Sequence, residues 1–142
     1  MINASEKYGV HVTATNREFL NIFKTLNETR SIKGVNYAKV VVKNSEVIKK
    51  HLDPIEAMAL PTEEFMELSL KAQKFIDAED AEGLAKFEEE NAPIIEKRKE
   101  QMSQVNQKLD EAATLELKMI AESYLPEDIS AEQLEMLVKI VQ

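Results

Sequence analysis

Six residues, Tyr37, Val41, Asn44, Ile48, His51 and Ile55, recur at intervals of four, three, four, three and four. Such spacing puts every member on one side of an α-helix, whereas a strand needs alternation at two. Val40, Val47 and Leu52 widen the same face, so a long amphipathic helix capped at Asn36 is expected despite its run of β-branched valines. With only three Gly and four Pro in 142 residues, the rest of the chain has few of the breakers that a loop-rich or all-β body requires.

Other helices declare themselves by their ends. Thr15-Asn16-Arg17-Glu18 reads as a capping box, with Phe19, Ile22, Phe23 and Leu26 as the stripe of a helix ending near Thr29. Asp53-Pro54-Ile55-Glu56 reads as a cap, a first-turn proline and an acid, which predicts a kink or restart at Pro54; Pro61 repeats the signal. Phe65, Leu68, Ala72, Phe75 and Ile76 trace a third helix to about Ala78. Residues 77–83 hold no apolar side chain larger than Ala and read as a solvated joint, followed by a short helix around Leu84 and Phe87 that Pro93 interrupts.

Beyond it, Ile95, Met102 and Leu109 occupy one heptad position and Val105, Ala112 and Met119 the other, so a helix of about six or seven turns is expected. Leu115, Leu117 and Met119 also alternate with Glu116 and Lys118, leaving pairing with Tyr8, Val10 and Val12 as the other outcome. Ser130-Ala131-Glu132-Gln133 is a second capping box, with Ile129 placed to meet Leu134, and Leu134, Leu137, Val138 and Val141 form the face of a helix over 131–141. The expected architecture is mainly α: one domain over 1–142, with long antiparallel helices in a hairpin or small bundle, an acidic hairpin centred near 77–93 and a minor two-stranded β element.

Charge is unevenly spread. Residues 53–96 carry thirteen acids and three lysines, a net −10 within a chain of −8, while in residues 30–50 Arg30, Lys33, Lys39, Lys43, Lys49 and Lys50 face only Glu46, a net +5. Solvated faces that steer helix pairing account for this pattern, and a partner-facing acidic surface of Glu79, Asp80, Glu82, Glu88, Glu89 and Glu90 is the sharper reading. Nucleic acid is not the expected partner, because the overall charge repels phosphate and the basic segment has no aromatic besides Tyr37.

Several chemistries lack their residues. Zero Cys removes thiol catalysis, disulfides and Cys-ligated metals. Neither His11 nor His51 sits in a metal-ligand motif; His51, on the long stripe, is expected to be a half-buried, hydrogen-bonded imidazole and His11 a surface residue. Counted as a calcium loop from Asp77, the twelfth position is Glu88, but the sixth, where the tight turn needs Gly, is Glu82. No nucleophile elbow, phosphate loop or dinucleotide fingerprint occurs, so neither an enzyme nor a cofactor is expected. The longest apolar runs fall far short of the roughly 20 residues of a membrane span, and the first residues lack a signal-peptide core, so the expected location is the cytoplasm. Asn44 and Arg98 interrupt apolar stripes, either fixing the register of a helix interface with Ile48, Met102, Val105 and Leu109, or lying exposed where the stripe drifts.

REFLNIFKTLNETRSIKGVNYAKVVVKNSEVIKKHL, residues 17–52, presents a Leu-Asn helix, a short loop and an aliphatic Lys-Asn helix in order, and LPEDISAEQLEMLVKIV, residues 125–141, a Leu-Pro segment and a short helix. In these two stretches the chain resembles small tailed-bacteriophage proteins of unknown function, the second being similar to that group's closing segment. The resemblance implies a phage origin and carries no catalytic or binding residue. Taken together, these readings lead to the expectation of a non-enzymatic, phage-encoded helical protein acting by contact with itself or another protein, in or around virion assembly. The alternative is a small acidic inhibitor that occupies a nucleic-acid or substrate groove on a host defence or regulatory protein.

Overall fold

A computed structural model describes residues 9–32 and 34–142. The chain is mainly α-helical with one two-stranded antiparallel sheet, and its contacts divide it into two compact units, residues 1–54 with 109–142, and residues 55–108.

In the first unit, β1 (Val10–Thr15) turns directly into helix α1 (Asn16–Glu28). The Thr15 hydroxyl accepts from the Glu18 N–H, and the Glu18 carboxylate accepts from the Thr15 N–H, so the expected capping box is present. Lys139 Nζ lies 3.1 Å from the same carboxylate. The Thr15 amide and Lys139 together hold the Glu18 carboxyl below its ordinary value. A lowered native pKa means stability that is present above the unfolded carboxylate range and lost as pH falls through it. Glu18→Ala is therefore expected to flatten the acid limb of stability against pH, measured by urea unfolding, and to change little once the carboxyl of the wild type is protonated.

Helix α2 (Val35–Ala59) begins at Val35, with the Ala38 N–H on the Gly34 carbonyl, so Asn36 lies inside the first turn and is not the cap. Nor does Pro54 restart the helix, which runs through it unbroken. The proline removes one hydrogen bond, while the side chains that satisfy the next turn's carbonyls, described below, hold the continuation. Of the stripe, Tyr37, Val41, Asn44 and Ile48 are buried and His51 and Ile55 half-buried. The four buried ones share the core of this unit with Phe19, Ile22 and Leu26 of α1 and with Val12, Leu117, Ile120, Leu137 and Ile140.

The seven-turn expectation fails at its far end. Helix α5 (Ala92–Asp110) stops nine residues before Met119, and β2 (Ala112–Leu117) pairs antiparallel with β1, Val12 opposite Leu115 and Thr13 opposite Thr114. The segment AATLEL has the composition of a helix, but its alternation matches a waiting partner: Val12, Ala14 and Leu117 are buried while His11, Thr13, Thr114 and Glu116 face outward. Val10 sits in β1 as expected; Tyr8 lies outside the described residues.

Helix α6 (Ala131–Leu137) opens on the expected box, with Ser130 and Gln133 bonded reciprocally. Its face differs from expectation, since a 3₁₀ turn over Val138–Ile140 tightens the period to three and puts Ile140, not Val138, below Leu137. Leu137 and Ile140 are buried and Val138 is 64% exposed. Backbone bonds from Ile120 to Ile140 and from Gln142 to Ile120 tie the end of the chain to the segment after β2.

The second unit holds the last turn of α2, helix α3 (Glu63–Asp77), helix α4 (Ala81–Glu90) and α5 up to Lys108. Only Leu68 and Val105 are fully buried there among the described residues. Among the same residues no helix is long and apolar enough to cross a membrane.

Candidate functional site

Polar side chains on the α2 stripe turn out to be bound within the chain. Asn44, 1% exposed, donates from Nδ2 to the Lys118 carbonyl at 2.9 Å and accepts at Oδ1 from the Lys118 N–H at 2.8 Å. Its carboxamide therefore acts as one more peptide group, pairing the backbone just past β2. His51 Nε2 lies 2.7 Å from Asn16 Oδ1, and the ring meets Phe19 edge-on with centroids 6.2 Å apart. That is the half-buried, hydrogen-bonded imidazole expected; His11 is exposed. Buried Thr29 donates to the Thr25 or Leu26 carbonyl, which leaves the Tyr37 hydroxyl as donor across the 2.6 Å contact between them. Burial pushes the Tyr37 phenol up from its ordinary value, with the bond to Thr29 opposing.

Arg98 is likewise occupied. Its Nη1 donates to the Ala59 carbonyl and to Gln101 Oε1, both at 2.8 Å, while Gln101 Nε2 reaches the Met58 and Leu60 carbonyls at 2.8 and 2.7 Å. Two side chains of α5 thus satisfy three carbonyls at the end of α2, where a cation also complements the helix dipole. The guanidinium stands 5.4 Å from the centre of the Phe65 ring. The sequence marks Arg98 only as a polar break in an apolar stripe; its link to Gln101 and the carbonyls the two serve come from the structure.

The acidic joint is shorter than the sequence suggested. The N–H of Glu79 bonds the Ile76 carbonyl and that of Asp80 the Phe75 carbonyl, a Schellman ending with Glu79 in the left-handed region at φ 53°. Asp80 then caps α4 through the Gly83 N–H at 2.9 Å, so Ala81, Glu82 and Gly83 are already helical. Phe75 and Phe87 pack below with ring centres 5.3 Å apart. A Cβ on Gly83 would lie 2.2 Å from Asp80 Oδ2 and 2.9 Å from Phe75 Cδ1. Gly83→Ala is expected to lower stability by about 1 kcal/mol, the lost cap outweighing alanine's helix propensity. Glu79→Gly should raise it by about 1 kcal/mol by relieving the left-handed backbone. Urea unfolding of the two variants reads both signs.

The six acids singled out by sequence fall on this corner and along α4. Glu79, Asp80, Glu82, Glu88, Glu89 and Glu90 are all exposed. Of the expected interface residues, Asn44 and Ile48 belong to the core of the first unit, Met102 is half-buried and Val105 buried in the second, and Leu109 is half-buried where α5 enters the first.

Cavities are shallow and mixed. One of about 410 Å³ is lined by Lys43, Val47, Glu116 and Lys118 beside the Asn44 pairing; others of about 270 and 250 Å³ lie between α1 and α6 and beside Phe65. Among the described residues no group of three or more His, Asp or Glu is placed to hold a metal ion.

Exposed apolar side chains among the described residues include Leu134, Met136 and Val138 near the end of the chain and those of two helix faces. On α2, Val35 and Val42 are 71% and 56% exposed and stand among exposed Lys39, Lys43, Lys49 and Lys50. On α3, Met66 and Leu70 are 48% and 70% exposed, opposite the side carrying Leu68, and stand among exposed Glu63, Glu67 and Asp77 with Lys71 and Lys74. The signal was a second stripe on each helix: Val35 and Val42 seven apart, Met66 and Leu70 four apart. Lys33, part of the basic count, lies outside the described residues. Comparison with protein-family models, curated proteins and solved structures gave no match.

Proposed function

We propose that this chain is a non-enzymatic assembly protein of a tailed phage, working in the host cytoplasm through protein–protein contact, chiefly with further copies of itself. The observation that carries the reading is the pair of exposed, oppositely charged helix faces, each with apolar side chains open to water. Apolar residues set among charges of net positive sign on α2 and net negative sign on α3 are the ingredients of a contact that is steered electrostatically and sealed by burial. The polar groups that a catalytic site would use, Asn44, His51, Tyr37 and Arg98, are engaged in holding the backbone and core together. The phage attribution rests on the resemblance of residues 17–52 and 125–141. Light scattering over a tenfold concentration range tests the reading: the average mass is expected to rise above the 16.1 kDa of one chain, and a constant 16.1 kDa contradicts it.

The exposed acids of α4 favour one other reading, an inhibitor whose carboxylates imitate a nucleic-acid backbone. Under it, reversing several charges between Glu79 and Glu90 abolishes binding to a basic target protein and leaves folding intact; unchanged binding rules it out.

A further inference from the structure

We propose that a second copy of this chain adds its β1, antiparallel, to the open edge of β2, extending the sheet from copy to copy; this rests on the self-association reading and names a second surface for it beside the helix faces. In an antiparallel pair, successive residues direct their N–H and C=O alternately toward the partner strand and away from it. The phase is fixed where the Asn16 N–H bonds the Glu111 carbonyl, one position beyond the pair Thr15 and Ala112. Val10, Val12 and Ala14 therefore bond Leu117, Leu115 and Ala113, and the main-chain groups of His11, Thr13, Thr114 and Glu116 point outward from the two edges. Lys118 obeys the same alternation, and both of its outward groups are taken by Asn44. At Thr15 the outward N–H is taken by Glu18. Short of these closures, exposed His11 and Thr13 on one edge, and exposed Thr114 and Glu116 on the other, have no outward main-chain partner among the described residues.

The two open stretches fit each other. With Thr13 of the second copy opposite Thr114 and its His11 opposite Glu116, each pair exchanges both main-chain hydrogen bonds. The closed Thr15 then falls opposite Ala112. Gly9, which has no side chain, falls opposite Lys118, where Asn44 already fills the edge, and its φ of 76° takes the chain out of strand conformation there. Charges agree as well: Glu116 faces an imidazole, Lys118 faces Gly9, Asp110 comes level with Arg17, and Glu18, level with Ala112, carries Lys139 at 3.1 Å as its counter-ion. Two copies of β2 paired about Leu115 would instead run Ala112, Glu111 and Asp110 of one along the stretch of the other that Asn44 and the last residues of the chain occupy. Pairing over so short a stretch is weak and depends on concentration. Because the two edges differ, the contact is heterologous and can repeat, giving rings or chains.

Hydrogen exchange of the wild type tests it. In dilute, monomeric protein the His11, Thr13, Thr114 and Glu116 amides are expected to exchange fast and those of Val12 and Leu115 slowly; where about nine-tenths of the edges are paired, the first four should slow about tenfold. Thr114→Pro and Thr13→Pro each remove one outward N–H and spare the bonds inside the sheet, with folding checked by circular dichroism. Light scattering is expected to find each variant associating severalfold more weakly than the wild type, and an equimolar mixture heavier than either alone, because each supplies the edge the other lacks. Should a proline unfold the sheet, the exchange pattern of the wild type decides by itself. Association that leaves those four amides fast, folded variants that associate like the wild type, or a mixture no heavier than its components overturns the edge docking while leaving self-association by another surface. A wild type monomeric throughout overturns both.

Discussion

Replacing Asn44 with valine is expected to lower stability by about 3 kcal/mol, because the N–H and C=O of Lys118 both lose their partner, a carboxamide on a residue only 1% exposed. Valine fills most of the volume and suits the apolar stripe, so packing alone predicts a neutral or favourable change. The sign therefore separates the two accounts. On the thermal scale of a chain this size the loss is about 10 °C in Tm. Hydrogen exchange should localise it: the Lys118 amide becomes fast, and the amides of β1 and β2 follow, since a two-stranded sheet is marginal without support from its surroundings.

The second large effect concerns the end of α2. Removing both Arg98 and Gln101 as alanines leaves the Met58, Ala59 and Leu60 carbonyls without their side-chain donors and is expected to cost about 2 kcal/mol, partly offset by water at this half-exposed site. The single variants should sum to more than the double, since Arg98 and Gln101 also bond each other and each substitution already breaks that link. Arg98→Lys should recover only part of the loss, as an ammonium lacks the flat guanidinium that stands 5.4 Å from the centre of the Phe65 ring while its Nη1 serves both acceptors. Urea unfolding of the four proteins gives the cycle.

What could be read from the sequence was local. Both capping boxes stand where Thr15 and Ser130 announce them, because the residues that satisfy each other are three apart. The stripe of α2 was legible for the same reason, as was the half-buried His51. Distant partners were not. AATLEL becomes a strand through pairing with residues about a hundred positions earlier, against its own helical composition. Asn44 stood out as a polar residue on an apolar face, yet its partner is a backbone group 74 positions away, which no side-chain pattern encodes. Val138 was placed inward by extending the α-helical period into a turn that changes to three. The outward stripes of α2 and α3 were passed over because two apolar residues per helix, set among charges, look like ordinary surface until the buried face is known.

Sedimentation velocity of the wild type at about 50 mM and about 500 mM salt bears most directly on the proposal that this protein works by charge-steered contact with further copies of itself. Association that rises with protein concentration at low salt and falls away at high salt is the predicted result. A single sedimenting species of 16.1 kDa in both, or association that strengthens with salt, would contradict it.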